Sequence, residues 1–352
     1  IAYIDKLATD RHGHLSLKPV YFTLSIFKQK TRNRPEAWRH LGYIPNIGLM
    51  SKAESAHGMK SLDKVQLYHD ILTKIFHPLA KLQIKDGLPY QLHYRGKGYN
   101  VFLQFPLLTV LGDTESHDRL SGRYNSRDLG VARLCCHCTT PHNQTDNVDY
   151  EWEHILPADV QIHIDANDKE ALRSISQHPI RNAFYFGICL GGNLRGIHGM
   201  TPGEPLHVLE LGLFKIVIEG FFVNIGYNPW SKSYPKILQQ VDVWARRIGK
   251  ALGHQSDRNL PRTYFPNGVT GGTKLAGHEM NGVILVLLIL CKLTESRTLL
   301  LTSKYIDQHQ IRGWIKLFES LLVWRWWLKL PSIALAEIQA SEHATHALLK
   351  LF

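Results

Sequence analysis

The sequence predicts a mixed α/β fold in which a sheet-containing core is interrupted by a mainly α-helical insertion and followed by further helices. Short β-prone runs occupy the first 45 residues, a long helical pattern follows them, and helical periodicity dominates from residue 169 onwards. Hydrophobic residues make up 44% of the chain and charged residues 20%. This composition supplies enough apolar surface for a packed core and excludes a disordered protein.

The order of elements near the start of the chain indicates the type of core. Three strands are predicted at Ile1–Ile4, Val20–Phe27 and Ala37–Ile44. Apolar residues at helical spacing predict a long amphipathic helix over Lys64–Lys85, with a kink or a break at Pro78. The apolar run Gln104–Leu111 does not alternate with polar residues, which is typical of a strand buried on both faces. Three strands, a helix and a buried strand form the opening order of a ribonuclease-H-like mixed sheet.

The rest of the chain divides into an insertion and a return to the core. We expect residues 1–122 to form the first part of the core and residues 123–260 a cysteine-containing, mainly α-helical insertion. Residues 261–352 would return to the core, with one helix passing through Glu279, and then form C-terminal helices.

Charge and cysteine content limit the classes of partner and compartment. The chain has 41 Lys and Arg against 30 Asp and Glu, a formal net charge of +11, which favours nucleic acid as a partner over a membrane. Its longest strongly apolar run, Gly282–Cys291, is about half of the roughly 20 residues that a bilayer span needs. Five cysteines, three of them within residues 135–138, indicate a reducing compartment, and no signal peptide is visible. Because the chain begins with Ile1 and not Met, we expect its true start to be missing.

Three carboxylates have positions that suit phosphodiester chemistry. Asp5 and Asp113 each follow a predicted strand, and in a ribonuclease-H-like sheet these first and fourth strands lie side by side. Glu279, near the start of a later helix, could supply a third carboxylate. Such oxygen ligands hold pairs of Mg²⁺ that activate the attacking and leaving oxygens. An aspartate after a strand also commonly begins a turn, so the pattern alone leaves both interpretations open.

A family resemblance favours the catalytic interpretation. The residues that carry it are Tyr3–Lys6, Pro19–Ser25, Ala37–Pro45, Leu111–Thr114, Asp118–Arg123, Leu134–Cys138, Thr201–His207, Gly212–Lys215 and Leu275–Glu279. In this order, over roughly residues 1–293, they resemble DDE/D transposases. Within these transposases, they resemble the CACTA-related, Plavaka-like elements of the Kyakuja–Dileera–Zisupton class.

The resemblance implies a function as well as a fold. It implies a ribonuclease-H-like catalytic core, a helical insertion between the second and third carboxylates, and DNA cleavage followed by strand transfer at transposon ends. Asp5, Asp113 and Glu279 become the candidate catalytic triad, holding two Mg²⁺ or Mn²⁺ ions. The implied partners are double-stranded DNA and further copies of the chain in a synaptic complex, and the implied location is the nucleus. A catalytically inactive, transposon-derived module that binds DNA or protein is the alternative.

A cysteine pair has the spacing of half a structural zinc site. In such a site the Cys135-x-x-Cys138 thiolates would supply two of four tetrahedral ligands. His137, His142 and His154 are available for the other half, but no second Cys-x-x-Cys occurs. A reduced thiol cluster without metal is the alternative, and the resemblance favours zinc, because related transposases carry a cysteine pair in the corresponding place.

The resemblance also marks an acidic residue and a histidine in the insertion. Glu204 precedes His207 by three residues, which places both side chains on one face of a helix. The family usually has Asp where this chain has Glu204. Thr201-Pro-Gly-Glu204 also fits a capping box, so Glu204 could serve only its own helix start.

Basic residues cluster in the turn between the second and third predicted strands. They are Lys28, Lys30, Arg32 and Arg34. Phosphate contacts from such side chains give salt-dependent DNA affinity, whereas a solvated surface turn is the ordinary alternative. The net charge of +11 on a chain with a predicted nuclease core favours DNA binding.

Overall fold

A computed structural model describes residues 1–4, 7–8, 16–47, 61–83, 86–125, 131–185, 187–191, 193–203, 205–228, 230, 235–252, 261–270, 275–330 and 334–350. The chain divides into two compact units, Ile1–Glu204 and Pro205–Phe352. Mixed α/β architecture is confirmed. The three-region division predicted from the sequence stays a prediction.

Small sheets and helices of 4 to 22 residues build the described part of the first unit. Its described strands are β1 (Ala2–Ile4), β2 (Leu7–Ala8), β3 (Ser16–Phe22), β4 (Arg39–Ile44), β5 (Leu88–Tyr94), β6 (Lys97–Leu103) and β7 (Val110–Leu111). Its described helices are α1 (Gln29–Arg32), α2 (Ser61–Leu82), α3 (Thr114–Leu120), α4 (Pro157–Asp165), α5 (Lys169–Ser174) and α6 (Ile197–Met200), with 3₁₀ turns at Pro35–Ala37 and His142–Gln144.

The main sheet has five strands of mixed direction. Strand β3 pairs antiparallel with β1 and β2 along one edge and with β4 along the other. Strand β7 pairs with β1 in parallel, Ala2 opposite Val110 and Tyr3 opposite Leu111. The order across the sheet is therefore β4, β3, β1, β7, and the carboxyl ends of β1 and β7 lie at the same end of the sheet.

Helix α2 covers the main sheet through an apolar stripe. Tyr68, Leu72 and Phe76 are buried in one core with Ile4 and Val20 of the sheet. The helix is continuous over its 22 residues, including Pro78, so the predicted break does not occur.

Strands β5 and β6 form a separate antiparallel hairpin, which the sequence analysis missed. The run Gln104–Leu111, predicted as a central strand, is a strand only at Val110–Leu111. Leu107 is nevertheless buried, and its amide donates to the carbonyl of Cys189 at 3.0 Å. The segment before β7 is therefore bonded to a part of the chain that is neither helix nor strand.

The second unit is helical in its described part. It contains a π-helix (Pro205–Phe214) and the α-helices α7 (Lys215–Asn224), α8 (Lys236–Ala251), α9 (Gly277–Lys292), α10 (Thr294–Thr302), α11 (Gln308–Leu328) and α12 (Leu335–Leu349).

Helix α9 lies at the centre of the second unit's core. Val283, Leu287 and Leu290 are fully buried, which accounts for the apolar run of the sequence. In the part of the chain that is described, no helix combines the length and the apolarity that a membrane span requires.

Candidate active site

The ends of β1 and β7 are in close contact. A β-carbon placed on Gly112, which follows β7, would lie 2.6 Å from the carbonyl oxygen of Ile4, the last residue of β1. Real β-carbons essentially never come so close to another atom, so a larger residue at this position would force the backbone to shift. Asp113 is the next residue after Gly112, and Asp5 is the next after Ile4. Asp5 itself lies outside the described residues.

Asp113 caps the amino terminus of α3. Its Oδ1 accepts the amide of Ser116 at 2.7 Å, and its backbone is extended, as an N-cap requires. The partial positive charge at a helix amino terminus stabilises an ionised carboxylate. Capping fixes the side chain without removing its charge, so the structural and the catalytic interpretations of Asp113 are compatible.

The other end of α3 is held by three buried or largely buried side chains. His69 Nε2 donates to the carbonyl of Arg119 at 2.9 Å, and Asn182 Nδ2 donates to that of Leu120 at 3.0 Å. The hydroxyl of Tyr185 donates to the carbonyl of Ser121 at 3.2 Å. The bonds from Asn182 and Tyr185 thus satisfy carbonyls at the end of the helix, and the Arg119 carbonyl accepts His69 in addition to the Gly122 amide. The helix that carries Asp113 is fixed at both ends.

His69 is neutral in this arrangement. Its Nδ1 accepts the amide of Ala183 at 3.2 Å while Nε2 donates to Arg119. Burial lowers the pKa of His69 to about 4, because the charged form loses its hydration. The imidazole therefore joins α2, α3 and the segment around residue 183 as an uncharged donor and acceptor.

A buried arginine connects α3 to the cysteine segment. The guanidinium of Arg123 lies 3.5 Å from Asp118 Oδ1, and both side chains are almost fully buried. Arg123 also donates to the carbonyl of Leu134 at 3.1 Å and to that of Arg133. The residues directly before Cys135 are therefore anchored to the end of α3.

Cys135 and Cys138 contact each other through their thiols. The hydrogen bond that Cys135 donates lowers the pKa of Cys138 to about 5 and raises that of Cys135. The amide of His137 donates to Cys135 Sγ at 3.3 Å, and the Thr140 hydroxyl lies 3.2 Å from Cys138 Sγ. Two adjacent thiols, one of them readily ionised, are a donor set that suits half of a zinc site.

The histidines around this pair have other contacts. His154 pairs with Cys138 in an isolated β-bridge, and its ring lies 3.4 Å from the Arg195 guanidinium. His137 Nδ1 donates to the carbonyl of His198. Within the described ranges, no group of three or more His, Cys, Asp or Glu side chains is arranged to hold a metal ion. The zinc site therefore stays a prediction.

Glu279 belongs to the second unit and has two bonded oxygens. It is in the first turn of α9, where its Oε2 accepts the amide of Ala276 at 2.8 Å. Its Oε1 forms an ion pair of 2.5 Å with Arg262. Glu279 thus stabilises its own helix start, and its convergence with Asp5 and Asp113 stays a prediction.

The Glu204–His207 signature is only partly described. Glu204 lies outside the described residues, and His207 is described in its backbone alone, within the π-helix that begins at Pro205. A π-helix is rare and occurs frequently at functional sites. The predicted role of the pair stays a prediction.

The basic cluster lies at the opposite end of β1 from Asp5. Lys28, Lys30 and Arg34 are exposed on α1 and its flanks, between β3 and β4, while Arg32 is partly buried. Strand β3 runs antiparallel to β1, so the turn follows β3 at the end where β1 begins. The amide of Thr23, directly after β3, donates to the carbonyl of Ile1 at 2.9 Å, which agrees with this placement.

Sequence reasoning missed His69, Asn182, Tyr185 and the buried role of Arg123. Arg123 belongs to a block that carries the resemblance, yet nothing in its neighbours distinguishes it from a surface arginine. All four side chains bond to backbone groups, some of which lie up to 114 residues away in the sequence. No local pattern reports such contacts.

Comparison with known proteins agrees with the resemblance. A family model described as Plavaka transposase matches residues 2–217, more than half of the chain. The match includes β1, β7 and the cysteine segment, and it ends before Glu279. No curated protein matches the chain.

Proposed function

Because the chain belongs to the Plavaka transposase family, we propose that it is the catalytic region of a metal-dependent DNA transposase. The reaction would be phosphodiester hydrolysis at transposon ends, followed by transfer of the freed strand into target DNA. The family assignment supports contact with DNA.

The proposed core is ribonuclease-H-like. The strand order β4, β3, β1, β7 supports it, with antiparallel pairing among the first three and parallel pairing of β7 with β1. One observation carries the functional proposal: the contact of Gly112 with the Ile4 carbonyl, at the two strand ends that precede Asp5 and Asp113. Two carboxylates that follow neighbouring parallel strands can serve one metal site.

The proposed metal ligands are Asp5, Asp113 and Glu279. Two Mg²⁺ or Mn²⁺ ions, when bound, would supply the electrophilic activation that phosphodiester cleavage needs. The capped, anionic carboxylate of Asp113 suits a hard cation. Glu279 would join as the third ligand through oxygen lone pairs that the Arg262 guanidinium and the Ala276 amide do not use.

Several further properties belong to the same proposal. The partners would be double-stranded transposon ends and target DNA, contacted in part by Lys28, Lys30, Arg32 and Arg34. Two DNA ends must be paired, so we propose a homo-oligomeric synaptic complex acting in the nucleus. Cys135 and Cys138 would hold a structural Zn²⁺, and the Glu204–His207 pair would act in the insertion.

Strand cleavage tests the proposal with a closely matched control. Asp113→Asn keeps a good N-cap but weakens a metal ligand, whereas Asp168→Asn makes the same change at the cap of α5. With Mn²⁺ and a duplex that carries the element's terminal repeats, Asp113→Asn abolishes cleavage and retains binding. Asp168→Asn cleaves like the wild type. Cleavage by Asp113→Asn at the wild-type rate would remove this residue from the site, and a wild-type chain that binds the duplex without cutting it would indicate the inactive module.

A further inference from the structure

The β5–β6 hairpin is a largely exposed element of the first unit. Among the described residues, its strands pair only with each other, and every residue from 89 to 100 is exposed. An isolated two-stranded hairpin is marginally stable in water. Contact with a partner would therefore stabilise this hairpin.

One face of the hairpin carries aromatic and aliphatic side chains. Tyr90, Leu92, Tyr94 and Tyr99 have exposed fractions of 52%, 45%, 55% and 45%. Leu92 lies opposite Tyr99, and Tyr90 lies opposite Val101, so these side chains share one side of the ribbon. Tyrosine combines an apolar ring with a hydroxyl, which suits a surface that is solvated in the free protein and buried in a complex.

The tip of the hairpin is basic and has an unusual residue. Arg95 and Gly96 both have positive φ, 50° and 75°, the pattern of a type I′ turn. Such turns prefer Asn or Asp at the first position, where Arg is uncommon. The Arg95 guanidinium lies 5.1 Å from the centre of the Tyr94 ring, and Lys97 follows the turn. No acidic residue occurs anywhere from Leu88 to Leu103.

The base of the hairpin is firmly anchored by a glutamine. Gln83, just after α2, donates from Nε2 to the carbonyl of Phe105 at 2.8 Å. Its Oε1 accepts the amide of Cys189 at 2.6 Å. The segments before and after the ribbon are thus tied to the same part of the unit, so the exposed ribbon projects from a fixed base.

We propose that the β5–β6 hairpin is a contact surface for double-stranded DNA, with Arg95 and Lys97 on phosphates and the tyrosine face along a groove. Each strand has seven residues, about 23 Å at 3.3 Å per residue, and a B-DNA major groove of about 12 Å width admits a two-stranded ribbon. The inference rests on the proposed transposase function and names an element that would hold its substrate.

Charge favours DNA over a second copy of the chain as the occupant. The ribbon carries two permanent positive charges and no negative one, so two ribbons facing each other would repel. DNA offers phosphates to the tip and an extended surface to the tyrosines.

The test measures the salt dependence of DNA binding by the full chain. The probe is a fluorescein-labelled duplex of about 40 base pairs, roughly four helical turns. The variant Arg95→Gln/Lys97→Gln removes two charges from the tip. The control Lys169→Gln/Arg173→Gln removes two charges from exposed positions on α5. Because each phosphate contact contributes about −0.9 to the slope of log K against log salt, the tip variant lowers the magnitude of that slope by about 1.8. The control leaves it unchanged.

The outcomes separate this inference from the proposed function. A tip variant with the wild-type slope and affinity, in a chain that binds DNA, overturns the hairpin proposal alone. Absence of DNA binding by the wild-type chain overturns both. Sedimentation of Tyr99→Ser tests the alternative occupant, a second copy of the chain. A change of oligomeric state with intact DNA binding would assign the tyrosine face to that second copy and overturn the proposal.

Discussion

The carbonyl oxygen of Ile4 lies 2.6 Å from the place that a β-carbon would occupy on Gly112. Ile4 ends β1, Gly112 follows β7, and a candidate catalytic aspartate comes directly after each of them. A glycine at this point allows the two parallel strands to approach closely at the end where the site is proposed.

Gly112→Ala should therefore destabilise the first unit. The new methyl group meets backbone, which cannot move aside cheaply, so we expect a loss of about 1–3 kcal/mol in the free energy of unfolding. Gly187→Ala is the control, because its nearest atom would be 3.6 Å away. Urea titration of both variants measures the difference. Equal midpoints for Gly112→Ala and the wild type would contradict the close approach.

Arg123→Met should cost far more stability than Arg119→Met. The Arg123–Asp118 pair is buried, and its loss removes the opposite charge from a buried carboxylate and the Arg123 donor from two carbonyls, at about 3–5 kcal/mol. The Arg119–Glu115 pair has side chains that are 48% and 33% exposed, so its loss should cost less than about 1 kcal/mol. Thermal unfolding of the two variants compares them. Similar losses would show that burial does not set the contribution of Arg123.

Protonation of His69 should weaken the fold in mild acid. Its pKa in the folded state is about 4, below the ordinary value of 6.5, so the unfolded state binds more protons between these values. The contribution of neutral His69 is complete above pH 6.5 and falls, as the pH drops towards 4, by up to about 1.4 kcal/mol per pH unit. In His69→Gln, which keeps a donor and an acceptor, the free energy of unfolding should depend less on pH in this range. Identical pH profiles for the two chains would refute the neutral, buried His69.

Zinc content tests the cysteine pair without any assay of activity. We expect the purified chain to carry Zn²⁺, and Cys135→Ser and Cys138→Ser to lose it, because each removes a thiolate ligand. Cys189→Ser is the control, since Cys189 is exposed and separate from the pair. Metal analysis after dialysis gives the stoichiometry. Wild-type protein without zinc, or full zinc content in Cys138→Ser, would leave the pair as reduced thiols.

Much of the fold was predictable where burial of one face gives the apolar residues of an element a regular spacing in the sequence. The helix expected over Lys64–Lys85 is α2, because its apolar stripe faces the sheet. The strand expected over Ala37–Ile44 is β4, preceded by a 3₁₀ turn. The helix expected through Glu279 is α9, whose apolar run fills the core of the second unit.

Other parts were missed for different reasons. Strand β5 does show the alternation of a strand, with Tyr90, Leu92 and Tyr94 separated by polar residues, so a local signal for the hairpin was present and was overlooked. The run Gln104–Leu111 is apolar because parts of it are buried, yet only Val110–Leu111 forms a strand, and the Leu107 amide donates to the irregular segment at Cys189. The side chains that hold α3 come from α2 and from residues 182–185, and only the folded chain brings them together.

Binding of Mn²⁺ tests most directly whether Asp5 and Asp113 share a metal site. Titration followed by electron paramagnetic resonance, on the full chain without DNA, compares the wild type with Asp5→Asn, Asp113→Asn and the double variant. Asp168→Asn serves as the control for a helix cap. We expect each single variant to lose the same tight Mn²⁺ site and the double variant to lose no more, because both carboxylates serve one site. Wild-type binding in both single variants would contradict the shared site.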